Sequence, residues 1–69
     1  MKISARNVLQ GKISRIHHGE VNTEVVVRVN GKTEIVSVIT RASAGQLKLR
    51  KGKTVYAVIK ASNVILAVD

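Results

Sequence analysis

From residue 21 to residue 29 the chain alternates at a period of two. Val21, Thr23, Val25, Val27 and Val29 fall on one side of an extended chain, and Asn22, Glu24, Val26 and Arg28 on the other. That is the pattern of a half-buried strand. Asn30-Gly31 follows directly, the pair favoured where both central residues of a tight hairpin need positive φ. The alternation resumes from residue 32 to residue 40, with Ile35, Ser37 and Ile39 opposite Glu34, Val36 and Val38. Together these runs predict a β-hairpin. The stretch before them is less regular. Residues 3–16 read as one long strand with Leu9, Gly11, Ile13 and Arg15 on one face and Val8, Gln10, Lys12, Ser14 and Ile16 on the other. Apolar residues occur on both faces. Gly11 is therefore expected to mark a bulge or bend that lets one strand serve two parts of a curved sheet. His18-Gly19 is expected to form a turn.

Residues 40–47 break the alternation. Thr40 is placed to cap a short helix whose Ala42, Ala44 and Leu47 face inward, and Gly45 keeps that helix short. A basic loop around Gly52 comes next. Val55, Ala57 and Ile59 then alternate with Thr54, Tyr56 and Val58 in a fourth strand. Residues 60–63 read as a turn, and residues 64–68, apolar throughout, as a fifth strand. Five strands with one short helix between the third and fourth predict an all-β fold over a single domain, residues 1–69. The expected form is a small five-stranded Greek-key barrel of the oligonucleotide/oligosaccharide-binding (OB) type, with an SH3-like barrel as the nearest competitor. A terminal strand apolar on both faces is an aggregation hazard when exposed. Burial against another subunit is the expected remedy; a strand wedged inside its own barrel is the alternative.

Composition sharpens this picture. A chain of 69 residues buries only about 60% of its unfolded surface and is marginal alone. It has no Cys, so disulfides cannot supply the difference, and a homo-oligomer is expected. His17 and His18 are adjacent on an extended chain, so they point to opposite faces and do not make a chelating pair. No apolar run is long enough to span a bilayer. Lys2, Ser4, Arg6, Asn7 and Gln10 interrupt the N-terminus too often for a secretion signal, and a cytoplasmic location is expected. The formal net charge is +8, from 12 Lys and Arg against 4 Asp and Glu. A field of that sign attracts anions.

Two short stretches carry candidate chemistry. Ser4-Ala5-Arg6-Asn7 sets a hydroxyl, a guanidinium and an amide within four positions, and Lys60-Ala61-Ser62-Asn63 repeats the recipe near the other end. Both are rich in donors and free of carboxylates, which suits an oxyanion whose every oxygen accepts hydrogen bonds. Taken singly, each has an ordinary reading, as a solvated basic arm and a polar turn. Glu20, Glu24 and Glu34 are spaced like solvated charges. No nucleophile–base set, glycine-rich phosphate loop or paired acids are present, so the chain does not read as an enzyme. A basic barrel that binds single-stranded nucleic acid is the competing function. Tyr56 is the only aromatic residue, which argues against it, because such barrels stack bases on aromatic rings.

The two stretches together resemble the molbindins, the Mop-like, TOBE-type family of small cytoplasmic molybdate-binding proteins. That family opens with Met-(Lys or Ser)-Ile-Ser-(Ala or Gly)-Arg-Asn, and residues 1–7 here read Met-Lys-Ile-Ser-Ala-Arg-Asn. Its second signature is matched by Val58-Ile59-Lys60-Ala61-Ser62. The likeness covers the whole chain, including the Leu9-x-Gly11-x-Ile13 pattern, the Ser37-Val38-Ile39-Thr40 strand end and the Leu47…Gly52-Lys53 loop. It implies the barrel already read from the strand order, and a homohexamer built as a trimer of dimers. It implies oxyanion sites at subunit contacts, with Ser4, Ala5 and Arg6 from one chain and Lys60, Ala61 and Ser62 from its neighbour. The implied ligand is molybdate or tungstate, held for storage, buffering or delivery. Molybdate is a tetrahedral dianion, and a donor-only pocket disfavours hydrogen phosphate, whose O–H would face another donor. The same module occurs at the tail of molybdate-transport ATPases and molybdate-responsive regulators; Met1 at the motif's own start leads us to expect a complete protein.

Overall fold

A computed structural model describes residues 1–69 as four antiparallel strands curled into a half-barrel, with one short helix. The strands are β1 (Asn7–His18), β2 (Asn22–Val29), β3 (Thr33–Thr40) and β4 (Thr54–Ile59). Their order across the sheet is β3-β2-β1-β4. β1 organises the whole. Its first half pairs with β4, from Asn7↔Ile59 to Lys12↔Thr54. Its second half pairs with β2, from Lys12↔Arg28 to His18↔Thr23.

The expected double service of the first strand is present, but the bulge is not at Gly11. Register shifts between Ile13 and Arg15, which leaves Ser14 as the extra residue. The shift accounts for the irregular alternation. Ile13 points inward before the bulge, and Ile16 packs against the same core after it, while Arg15 turns outward and not to the Ile13 face. Gly11 serves another purpose. A Cβ there would lie 2.6 Å from the Arg28 carbonyl oxygen and 2.8 Å from Val27 Cγ1, so only glycine permits the strands to cross this closely. The expected turn at His18-Gly19 also moves: His17 and His18 both stay in β1. The chain reverses after them, with the Gly19 N–H donating to the Asn22 carbonyl at 2.8 Å. His18 Nδ1 meets the hydroxyl of buried Thr23 at 2.9 Å.

β2 keeps its inward row with two departures: Val21 lies outside the strand and is exposed, and Val26, on the opposite face, is buried. Thr23, Val25, Val27 and Val29 are buried, and Ile13, Val25, Val27 and Val29 form the core. Asn30 and Gly31 take φ of 55° and 70°, as their hairpin requires. α1 (Arg41–Gln46) is capped by Thr40, whose hydroxyl accepts from the Ser43 N–H at 3.0 Å. Of its three expected inward residues only Ala44 is buried; Ala42 and Leu47 are exposed, because a helix this short lays a single turn on the sheet.

The fifth strand does not form. Residues 64–69 have no regular secondary structure, and Ile65, Leu66 and Val68 are exposed. Strand geometry needs a ladder partner, and within one chain no strand edge lies beside them. The edges of β3 and β4 are left facing an apolar cleft of about 350 Å³, lined by Val25, Val27, Ile35, Ile39, Val55 and Ile59 among others. The chain alone is thus a four-stranded half-barrel and not a closed five-stranded one.

Candidate functional site

Strand pairing decides where the two donor-rich stretches lie. Asn7 opens β1 opposite Ile59, which ends β4. Ser4-Ala5-Arg6 therefore enters the sheet beside the point where Lys60 leaves it. The Asn7 side-chain amide donates to the Ile59 carbonyl at 3.3 Å and fastens the seam. Beyond Lys60 the chain tightens into one 3₁₀ turn, Ala61–Asn63. The Asn63 N–H donates to the Lys60 carbonyl at 2.9 Å, and the Val64 N–H to the Ala61 carbonyl at 3.2 Å. A run of small polar residues suits such a turn, since nothing bulky resists it.

Ser4, Ala5, Arg6, Lys60, Ala61 and Ser62 all line one cavity of about 510 Å³, together with Ile3 and Val58. No carboxylate lines it. The chain's one salt bridge, Arg28–Glu34 at 3.0 Å, lies elsewhere, so Arg6 and Lys60 have no acidic partner. Ala5 is half-buried and the other five are exposed. Two hydroxyls, two cations and the backbone beside two alanines thus line one open space. Small side chains at positions 5 and 61 leave the main chain open to a close-approaching ligand.

The resemblance assigned these residues to two different chains. Here both triplets of a single chain meet in one cavity. The Asn7 amide, expected among the donors, is engaged by the Ile59 carbonyl. Ile3 and Val58 were not expected at the site. Each immediately precedes or lies two residues from a predicted donor, so the strand period was the only available signal. The cavity is wide and open to solvent, with only Ala5 of the six half-buried.

The TOBE domain matches residues 3–66. The "Probable molybdenum-pterin-binding protein" of Haemophilus influenzae is 42% identical over 69 residues, which is 100% of both chains. The "Molybdenum transport protein ModE" of Herbaspirillum seropedicae is 48% identical over 69 residues. This chain spans only 26% of that longer protein. Among solved structures, the cytoplasmic molybdate-binding protein ModG with molybdate bound superposes with a TM-score of 0.95 at 46% identity, over 100% of this chain and 49% of that one.

Proposed function

The chain belongs to the TOBE-domain family, and on that premise we propose that it is a binding protein for molybdate or tungstate at the cavity between Ser4-Ala5-Arg6 and Lys60-Ala61-Ser62. One observation carries the reading: all six residues surround a single space with no carboxylate in it. Arg6 and Lys60 supply charge, Ser4 and Ser62 supply hydroxyls, and the alanines admit backbone N–H groups. The names of the relatives, which refer to molybdenum-pterin binding and molybdate binding, support the same ligand. Storage, buffering or delivery in the cytoplasm is the role that follows from reversible binding without chemistry.

The site is proposed to work in a homohexamer, a trimer of dimers. The cavity is too open for one chain to place donors on every side of a tetrahedral anion, so a neighbour's surface completes it. The exposed residues 64–68 begin immediately after the site, and the apolar cleft between β3 and β4 lacks a strand. A neighbour's residues 64–68 entering that cleft would close a five-stranded Greek-key barrel and bury the tail at the same time.

Molybdate and tungstate should raise the melting temperature by mass action, and phosphate at equal concentration should do little. Equal stabilisation by phosphate would reduce the cavity to a loose basic patch. Arg6→Ala should weaken binding by about 1.5–3 kcal/mol, the scale of a charge-assisted hydrogen bond. Lys60→Ala should act in the same direction and less strongly, since lysine contributes as a point charge. Mixing the two variants under subunit exchange tests the sharing. A pocket built between chains regains tight sites in the hybrids. If hybrids regain none while both variants assemble, each pocket uses the residues of one chain, as their meeting in one cavity also permits.

A further inference from the structure

The outer face of the sheet carries a second, separate organisation. Register lays it out in three rows across β3, β2 and β1. Glu34, Arg28 and Lys12 form the first; Val36, Val26 and Arg15 the second; Val38, Glu24 and His17 the third. One side of this face is aliphatic and the other cationic. Val36 and Val38 are 61% and 63% exposed, with Val26 buried beside them. Lys51 joins the cationic side from the basic loop. Two shallow cavities on this face, of about 320 and 470 Å³, share Ser14, Arg15 and Lys51.

The cationic side is held in place by backbone. The Gly52 N–H donates to the Ile13 carbonyl at 2.8 Å, and the Ile13 N–H donates to the Lys53 carbonyl at 3.0 Å. These bonds pin the loop against β1 at the bulge, and the bulge turns Arg15 outward beside it. The Ser14 hydroxyl donates to the Val26 carbonyl at 3.2 Å. Bulges are enriched where a strand must re-aim a functional side chain. Of the charges facing this surface, Arg28 is paired with Glu34, and Glu24 stands opposite His17. Lys12, Arg15 and Lys51 form no salt bridge, although Glu34 shares a cavity with all three and feels the charge of Arg15.

We infer that the outer face of β1–β3 is a docking surface for an extended segment of an acidic partner protein, one with aliphatic side chains toward Val36 and Val38 and carboxylates toward Lys12, Arg15 and Lys51. Charge complementarity favours an acidic partner here over a second copy of this mainly cationic face; the proposed homohexamer is built through other surfaces, around the Ser4–Ser62 cavity and residues 64–68. Nucleic acid offers nothing to cover the valines, and the one aromatic side chain on the sheet's outer surface, Tyr56, lies on β4, beyond Lys12 and at the far edge from Val36 and Val38. A small oxyanion needs converging donors, and these cations are spread along a face. None of these residues lines the Ser4–Ser62 cavity, so the inference stands apart from the molybdate reading.

The test uses the full chain in its native assembly and a fluorescent peptide of alternating glutamate and leucine, followed by anisotropy. A peptide of alternating glutamate and serine and an oligothymidylate serve as comparisons. The glutamate–leucine peptide should bind tightest. The double variant Arg15→Glu/Lys51→Glu should weaken it about ten-fold or more, and Arg15→Gln/Lys51→Gln by less. Lys48→Glu, which changes a cation outside both cavities, should change it less than about two-fold. Val36→Ser/Val38→Ser should weaken the leucine peptide and leave the serine peptide unchanged. Circular dichroism and sedimentation confirm that each variant folds and assembles. The inference is overturned by absence of peptide binding, by equal losses from Lys48→Glu, or by oligothymidylate binding tighter than the peptide and ignoring the valines.

Discussion

Residues 25–29 and residues 64–68 are nearly interchangeable on paper: Val-Val-Val-Arg-Val and Val-Ile-Leu-Ala-Val. Their fates are opposite. The valines of the first are between 2% and 6% exposed, whereas Ile65, Leu66 and Val68 of the second are between 87% and 97% exposed. Composition does not separate them; neighbours do. The first run lies between β1 and β3 and is hydrogen-bonded on both edges. The second follows a 3₁₀ turn into space, with no edge beside it. Burial is therefore a property of pairing, and an aliphatic run without a pair marks an unfinished surface.

The largest expected effect tests the buried run at its contact with β1. Ile13 is 1% exposed, and Ile13→Ala should cost about 3–4 kcal/mol, the upper part of the range for core truncations. Urea denaturation would measure it, and a cost below about 1 kcal/mol would mean the core is not where the fold is held. The tail is tested by Leu66→Ala. If residues 64–68 are buried between chains, association should weaken by about 2 kcal/mol per subunit, seen as dissociation on dilution in sedimentation, with the secondary structure intact. Unchanged association would make the contrast final and the tail a solvated end. Thr40→Ala should cost about 1 kcal/mol by removing the helix cap, and its effect should be the same in assembled and dissociated protein.

The smallest effect belongs to Glu34. Its carboxyl is held below the usual carboxylate range, first by the hydrogen bond from Arg28, with the charges of Arg28 and Arg15 and the Ser14 hydroxyl assisting. Such a group stabilises the fold at pH values above its unfolded pKa, and the contribution disappears as pH falls through the lowered folded pKa. Glu34→Gln should therefore lower the denaturation midpoint slightly near neutrality and not at all in strong acid. Salt should shrink the difference, since the pair is solvent-exposed.

Local pattern was enough for the elements that fold on themselves. The Asn30-Gly31 turn and the Thr40 cap are written in neighbouring residues and appear as read, as does the alternation of residues 22–29 apart from Val26, which is buried on the outer face; Val21 falls outside the strand and is exposed. Features that depend on distant partners were less legible. The bulge at Ser14 is set by the register between β1 and β2, and Gly11 drew attention because its lack of a side chain is visible while its crowding by Arg28 is not. The fifth strand was read from aliphatic character alone, which cannot reveal whether an edge is available. The site was partly legible. The donor chemistry of Ser4, Arg6, Lys60 and Ser62 is plain in the residues, but their adjacency depends on the Asn7↔Ile59 pairing, and only the family resemblance joined the two ends.

That pairing also fixes a sequence of events in time. Asn7 and Ile59 are 52 residues apart along the chain, whereas β2 and β3 are joined by a tight hairpin. Closing the longer loop loses more chain entropy, and distant strand pairs slow folding. The β2–β3 hairpin is therefore expected to gain amide protection early in refolding, and the first half of β1 only when β4 arrives. The cavity at Ser4 and Lys60 exists only after that last seam closes. On the proposed site, a nascent or partly folded chain would have no affinity for the anion, and the final zipping step would set the moment at which it can be captured.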